Sequence, residues 1–430
     1  MAATYANTSN QVAALKELYT GDDFMKDLVY KKNPLLALLP KDESPSGFAG
    51  KYIPVPLIYG TPAGGRSATF SSAQGNQTPP SLASFFVYRV SNYQLVTITN
   101  ELLEATKDNA GAFIDEAKLN MDTGFRSISN DLALDLYSAG NGVRGQIASI
   151  STGVITLSNA SQVVNFEIGM VLASFSISGT TYTQSTGAAL GYVVAINRSA
   201  GTVTVSATAG GAAGTPTNWS TSFPNIGVSG DVAFGTLSVR TSFLKVTGLQ
   251  GWLPTTAPSP GESFWGVDRS VDTSRLAGVV AQGTSSETIE EALIDAASQV
   301  AREGGMPDMC FMNFASYAAL EKSLGSKVQY VDVKHEEADI AFAGIRINAP
   351  YGPISVVPDR NCPAQTAYLL QMDTWKLRSL GKAPHILTYG LEGLEGLRVG
   401  TADALEIRIG YYANLICNAP GWNCVVQLSQ

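Results

Sequence analysis

Apolar residues recur along 109–137 with the period of one helix face. Ile114, Ala117, Met121, Phe125, Ile128, Leu132 and Leu136 are spaced three or four positions apart. Asp115, Glu116, Lys118, Asp122, Arg126, Asp131 and Asp135 fall mainly off that stripe. Asp108 or Asn109 is placed to cap the start and Gly140 to end the helix, and no proline interrupts it. At 1.5 Å per residue the pattern predicts a rod of roughly 40 Å, about twice the usual helix length. A narrow apolar stripe on a long rod suits a spine laid across a thin, extended domain better than a helix buried all round.

The pattern on either side of this rod divides the chain. Residues 1–47 read as an irregular arm in which Leu15, Leu18 and Leu28 are spaced for one-sided contact, followed by the apolar plug LLALLP. With little core of its own, the arm is expected to lie on another domain or subunit. Residues 48–98 read as a long hairpin: Ile53, Val55, Leu57 and Tyr59 alternate along KYIPVPLIYG, and FFVYRVSNYQLVTIT returns. Two prolines in the first strand make it an edge or loosely paired strand. The long tip between them is expected to lack regular structure and to order on a neighbour. Residues 99–141 hold a short helix, NELLEAT, and the spine. Residues 142–247 carry only Arg144, Glu167, Arg198, Asp231, Arg240 and Lys245 as charges, and β-branched runs recur there. Tight turns at Ser151–Gly153 and Asn197–Gly201 separate those runs, predicting an inserted small all-β barrel or sandwich.

From 248 the host chain resumes. Residues 248–283 form a Pro/Gly-rich connector. In 284–375, Thr284-Ser285-Ser286-Glu287 resembles a capping box before a helix that aligns Ile289, Leu293, Ala296 and Val300. The strand MCFM, a helix capped by Asn313, and the strands IRIN, ISVVP and AYLLQM follow, making an α/β layer. Residues 376–430 end in two alternating strands, one with Leu405, Ile407, Ile409 and Tyr411, the other with Trp422, Cys424, Val426 and Leu428.

Composition narrows the function. At 430 residues, a prior of roughly 150 per domain predicts about three domains. Charged residues are 15% and hydrophobic ones 45%, so a sizeable core is available. A net charge of −8 argues against tight phosphate binding, which needs clustered Lys and Arg, yet permits a wall that merely encloses nucleic acid. Cys310, Cys362, Cys417 and Cys424 form no CxxC pair and are expected as buried thiols. The first residues lack a signal-peptide pattern, and no apolar run is long enough to span a membrane.

Catalytic chemistry is not apparent. His335 and His385 are far apart in sequence, and no HExxH, metal-spaced Cys/His cluster or GxSxG occurs. GGAAGT lacks the Lys-Ser/Thr of a phosphate loop. Adjacent Glu290-Glu291 and Glu336-Glu337 diverge by about 100° on a helix and cannot converge on one substrate. No catalytic residue, cofactor or metal site is therefore expected.

The order arm, hairpin, spine, α/β layer and terminal strands resembles the major capsid proteins of tailed bacteriophages, the Hong Kong 97-like α+β shell fold. TIEEALIDAASQVAREGGMPDMCFMNFASYAALEKSLG is similar to that family's apical helix, strand, Asn-capped helix unit. AGIRINAPYGPISVVPDRNCPAQTAYLLQMDTWKLRSLG resembles its return strands. ALEIRIGYYANLICNAPGWNCVVQL resembles its final pair of peripheral strands. The resemblance covers about three-quarters of the chain and implies a structural subunit, not an enzyme. Such subunits assemble as hexamers and pentamers into an icosahedral head around double-stranded DNA, without sequence-specific binding or a membrane. It implies intersubunit contacts from the hairpin tip at Gly64, Gly65, Arg66 and Phe70, and from Leu15, Leu18 and Leu28 in the arm. Scaffolding, portal and decoration proteins are the implied partners, with assembly in the host cytoplasm and residence in the virion. Some members crosslink a hairpin Lys to an Asn near the chain end. Lys51 could lie in the hairpin, but ILTYGLEGLEGLRVGTADA contains no Asn, so no crosslink is expected. The alternatives are an encapsulin-like compartment and, from another class, a secreted β-module enzyme or adhesin.

Overall fold

The spine forms where the stripe places it, as a helix over Ala110–Asp135. The computed structural model describes residues 33–44, 50–99, 110–236, 243–284, 286–324, 330–335, 338–387, 396–398 and 403–429. All of them lie in the unit Asn33–Gln430. Leu15, Leu18, Leu28 and the predicted helix NELLEAT lie outside the described residues. On the spine, Ile128, Leu132 and Leu136 are fully buried, whereas Met121 and Phe125 are half-buried. Gly124 is where the helix comes closest to the sheet beneath: a Cβ there would sit 2.7 Å from Val96 Cγ2 and 3.1 Å from Ile409 Cδ1.

That sheet has six strands, with Ala404–Cys417 at its centre. The central strand pairs antiparallel with Val90–Thr99 along its first part and with Trp375–Ser379 along its second. Strand parity decides which side chains meet the spine. Ile407, Ile409 and Tyr411 are buried on the helix side, and Tyr93 and Leu95 are exposed on the other.

Residues 33–42, the described end of the stretch read as an arm, pack on this body. Leu35, Leu38 and Leu39 are buried in the main core, and Lys41–Asp42 pairs parallel with Trp375–Ser379. Three leucines on one short turn are enough to anchor it by apolar burial. The hairpin return also differs from expectation. Ser81–Tyr88 pairs with Tyr52–Gly60 in a two-stranded ribbon, whereas Val90–Thr99 joins the six-stranded sheet. The tip is not without regular structure, because Phe70–Gly75 is a short helix.

The second sheet has seven strands, ordered Val279–Gln282, Cys424–Gln427, Thr366–Leu370, Met309–Met312, Gly352–Pro358, Ala338–Ala349 and Tyr330–His335. Helices Ile289–Arg302 and Phe314–Leu324 cover one face, packing Leu293, Ala296, Val300 and Leu320 on Cys310, Met312, Val356 and Leu369. The opposite parity, Met309, Phe311, Val357, Tyr368 and Leu370, enters the main core. Here two expectations are corrected. The last two strands do not form a pair: Ala404–Cys417 stays in the six-stranded sheet, while Cys424–Gln427 pairs with Val279–Gln282 and Thr366–Leu370. The connector 248–283 is not a mere link either, since it supplies that edge strand and buries Trp252, Phe264 and Trp265. The capping box lies one turn later than read, at Thr288 and Glu291.

Between the spine and residue 243 the chain closes a barrel. Gly145–Ser151, Val154–Leu157, Thr202–Ser206, Leu190–Asn197, Val171–Ser178 and Asn225–Val228 each pair with the next, and the last returns to the first. Closure removes the free edges that an open sheet would leave. Ile147, Ile155, Leu157, Val193, Val203 and Val205 fill the interior with Phe166 and Trp219.

Candidate assembly surfaces

The ribbon has two unlike faces because its residues alternate. Ile53 opposes Val87 and Val55 opposes Phe85, and all four are buried. Phe85 meets the rings of Trp252 and Phe264 at 5.2 and 6.0 Å. Trp265 O accepts from Phe86 N at 2.9 Å, so the backbone is fixed to the body as well. The other parity is apolar but faces outward. Ile58 opposes Leu82, and the two are 68% and 65% exposed. Pro54 opposes Phe86, whose ring lies 5.0 Å from that of Tyr52. The subunit thus presents a contiguous apolar stripe on a strand pair that it does not cover itself.

Gly64, Gly65, Arg66 and Phe70 all lie in the tip segment between the two ribbon strands. Gly64 N donates to Thr78 Oγ1 at 3.0 Å, and a Cβ at Gly64 would lie 2.4 Å from Asn76 O. Only glycine lets the two sides of the tip approach so closely. Phe70 opens the short helix and is 82% exposed. At the root, Arg275 Nη1 donates to Tyr59 O at 2.7 Å and its Nε to Glu303 Oε2 at 3.1 Å. The sequence gives no local signal for Arg275, whose partner Tyr59 is so distant along the chain.

A second feature lies where the barrel joins the spine. Gly248 N donates to Ser138 O at 3.0 Å, and Leu249 N to Leu136 O at 2.7 Å, so barrel entry and exit run side by side. Five charged side chains close this joint. Arg144 pairs with Asp131, and Lys245 Nζ lies 2.7 Å from Asp131 Oδ2 and 3.0 Å from Asp231 Oδ2. Asp135 Oδ1 is 3.8 Å from Arg144 Nη2, and its Oδ2 is 3.7 Å from Lys245 Nζ. Burial alone would raise the Asp131 carboxyl, but Arg144 and Lys245 outweigh it and hold Asp131 below the usual range. Burial likewise opposes charge on Arg144 and Lys245, and the carboxylates overcome it, raising both. Beside the joint is a cavity of about 360 Å³ whose walls include Asp135, Asn141, Gln162, Asn165 and Asn361. Across it Arg360 Nη2 donates to Val164 O at 2.7 Å, tying the barrel to the α/β layer.

Among the described residues no group of three or more His, Cys, Asp or Glu is placed to hold a metal ion, and no helix is long and apolar enough to cross a membrane. All four cysteines are buried and free. Burial pushes the Cys417 and Cys424 thiols up to about 12, so they are held as neutral packing groups.

Comparison with known proteins agrees with this architecture. Residues 232–388 match the family model of the SU10 major capsid protein. That stretch runs from just past the barrel's last strand, Asn225–Val228, through most of the seven-stranded sheet to His385-Ile386. Over that stretch the chain is similar to a phage major capsid protein. The remainder carries the same fold. The capsid asymmetric unit of cyanophage A-1(L) superposes with a TM-score of 0.52 at 13% identity, over 95% of this chain and 96% of that one. The capsid of a native GTA particle gives 0.43 at 10% identity, over 97% and 99%. The SrpI encapsulin of Synechococcus elongatus gives 0.45 at 8% identity, over 96% and 94%. No curated protein matches. The chain thus has the α+β Hong Kong 97-like fold, with a β-barrel added at the end of its spine.

Proposed function

We propose that this subunit forms hexamers and pentamers that close into an icosahedral head around double-stranded DNA, and that the ribbon's outward face is the main intersubunit contact. The observation that carries the reading is the Ile58–Leu82 pair: two large aliphatics directly opposed and largely exposed on a strand pair whose other face is rooted in the core. Such a stripe costs solubility unless a neighbouring copy covers it. In this reading the tip at Gly64, Gly65, Arg66 and Phe70 reaches over one neighbour, and the leading residues, with Leu15, Leu18 and Leu28, contact another. Ring-forming contacts of this heterologous kind close under rotation. Many modest contacts then act together, so the shell is far more stable than any one of them. The net charge of −8 favours containment: a wall with no excess of cations does not grip the DNA that fills it. Scaffolding, portal and decoration proteins complete the particle, and assembly takes place in the host cytoplasm.

Deletion of residues 62–80 tests the role of the hairpin. Electron microscopy should find no closed shells, while circular dichroism shows a folded subunit, because the tip contributes nothing to the core. Normal heads from the deletion variant would remove the hairpin from the mechanism.

A further inference from the structure

Asp135 is the carboxylate of the barrel–spine joint with the poorest partners. Facing it are Asp131 on its own helix, Arg144 at the barrel entry, Asp231 and Lys245 at the exit, and the Tyr411 hydroxyl from the sheet below. Asp131 takes the bond from Arg144, and its Oδ2 accepts from Lys245 at 2.7 Å and Asn92 Nδ2 at 2.6 Å. Asp231 lies 3.0 Å from Lys245 Nζ and is itself 19% exposed on its side chain. Asp135 keeps only its long approaches to Arg144 and Lys245, is 3% exposed, and its Oδ2 accepts no hydrogen bond. Three carboxylates therefore oppose two cations in one enclosed cluster. An uncompensated buried charge is expensive, and the carboxylate with the weakest partners is the one on which a proton relieves it.

We propose that Asp135 is a proton-operated latch between the inserted barrel and the spine helix. With its proton on, the joint is balanced and the barrel is held against the last turn of the spine. When the proton leaves to water in the adjoining cavity, the joint carries a buried negative charge and opens more readily. Burial pushes the Asp135 carboxyl up to about 7, opposed by Lys245 and reinforced by Asp131. The sign follows from linkage. In an opened joint Asp135 returns to roughly 4, so opening releases a proton at pH values between the two. The opening constant then rises about tenfold per pH unit up to about 7 and levels above it. The latch is tight in acid and loosens toward neutrality, because a raised carboxylate stabilises the closed form only while protonated. Barrel, spine and α/β layer meet at this joint, so its state sets how firmly the barrel follows any movement of the spine.

Hydrogen–deuterium exchange on the full-length protein at pH 5, 6, 7 and 8 tests the proposal, with rates divided by their intrinsic values. Peptides covering 129–137, 143–148 and 225–233 should show opening that rises about tenfold per unit below pH 7 and is level by pH 8. Asp135→Asn should abolish the pH response in these peptides. Responses from the other carboxylates held above their usual range, the buried Asp359 and the exposed Asp308, persist in that variant and are thereby separated. Asp231→Asn, at a partly exposed position, balances the cluster and should move the level-off to lower pH. A wild-type response that Asp135→Asn retains, or a level-off that Asp231→Asn leaves in place, overturns the proposal. If Asp135→Asn does not fold, the Asp231→Asn shift alone decides.

Discussion

Trp375 Nε1 donates to Asn423 Oδ1 at 2.8 Å, deep in the corner where the chain leaves one sheet for the other. The same oxygen accepts from Gln371 N at 2.9 Å, and Asn423 Nδ2 donates to Thr374 Oγ1 at 3.1 Å and Ala419 O at 2.9 Å. One buried amide therefore satisfies the backbone and ring groups that the crossing would otherwise orphan.

Asn423→Ala should cost about 2–6 kcal/mol, since two buried donors lose their acceptor at roughly 1–3 kcal/mol each. Urea unfolding of the unassembled subunit measures it. A loss under about 0.5 kcal/mol would show that the corner is held by packing alone.

Replacing Ile58 and Leu82 together with Ser should leave the subunit's own stability within about 0.5 kcal/mol, because both side chains already face solvent. Assembly should fail in the same preparation. Sedimentation velocity reads the loss of large particles, and thermal unfolding reads the intact fold. Particles at wild-type yield would place the contact elsewhere.

Asp131 sets an acid limit. Its carboxyl is held below the usual range by Arg144 and Lys245, against burial. A lowered carboxylate contributes its full stability above its unfolded value of roughly 4, and that contribution drains away as pH falls further. Asp131→Asn should remove this acid dependence. It should also lower stability at neutral pH, because Arg144 and Lys245 lose the oxygens they bond, a loss offset in part as Asp135 ionises in its place. Denaturant unfolding at pH 3, 5 and 7 checks both parts; equal pH slopes in the two proteins would contradict the first.

Much of this was legible in the chain. The spine declares itself by its stripe, the barrel by short β-branched runs between tight turns, and the Ile289–Arg302 helix by its apolar face. What misled had physical causes. Cys424, Val425 and Val426 are all buried, so the alternation read through Trp422, Cys424, Val426 and Leu428 does not mark one buried face and could not say which sheet the last strand joins. Thr284 and Thr288 each precede a glutamate by three residues, and both glutamates bond back, Glu287 to Thr284 N at 3.2 Å and Glu291 to Thr288 N at 2.9 Å. Local chemistry alone does not choose between them. The connector's prolines and glycines mask Trp252 and Trp265, whose burial depends on partners distant in sequence.

The joint was half visible. Of the few charges between 142 and 247, Arg144, Asp231 and Lys245 stand near the two ends of the stretch. Charges concentrated where a segment enters and leaves its host are a sign of a cross-segment ion cluster. The partners, Asp131 and Asp135, look like ordinary off-stripe helix charges until the chain is folded.

The ribbon's role is the claim on which the assembly account rests, and a cryo-electron microscopy map of shells assembled from this protein tests it most directly. Side chains of a neighbouring copy should pack over Ile58, Leu82 and Phe86. A map in which those three residues face solvent, or are covered by their own subunit, would contradict it.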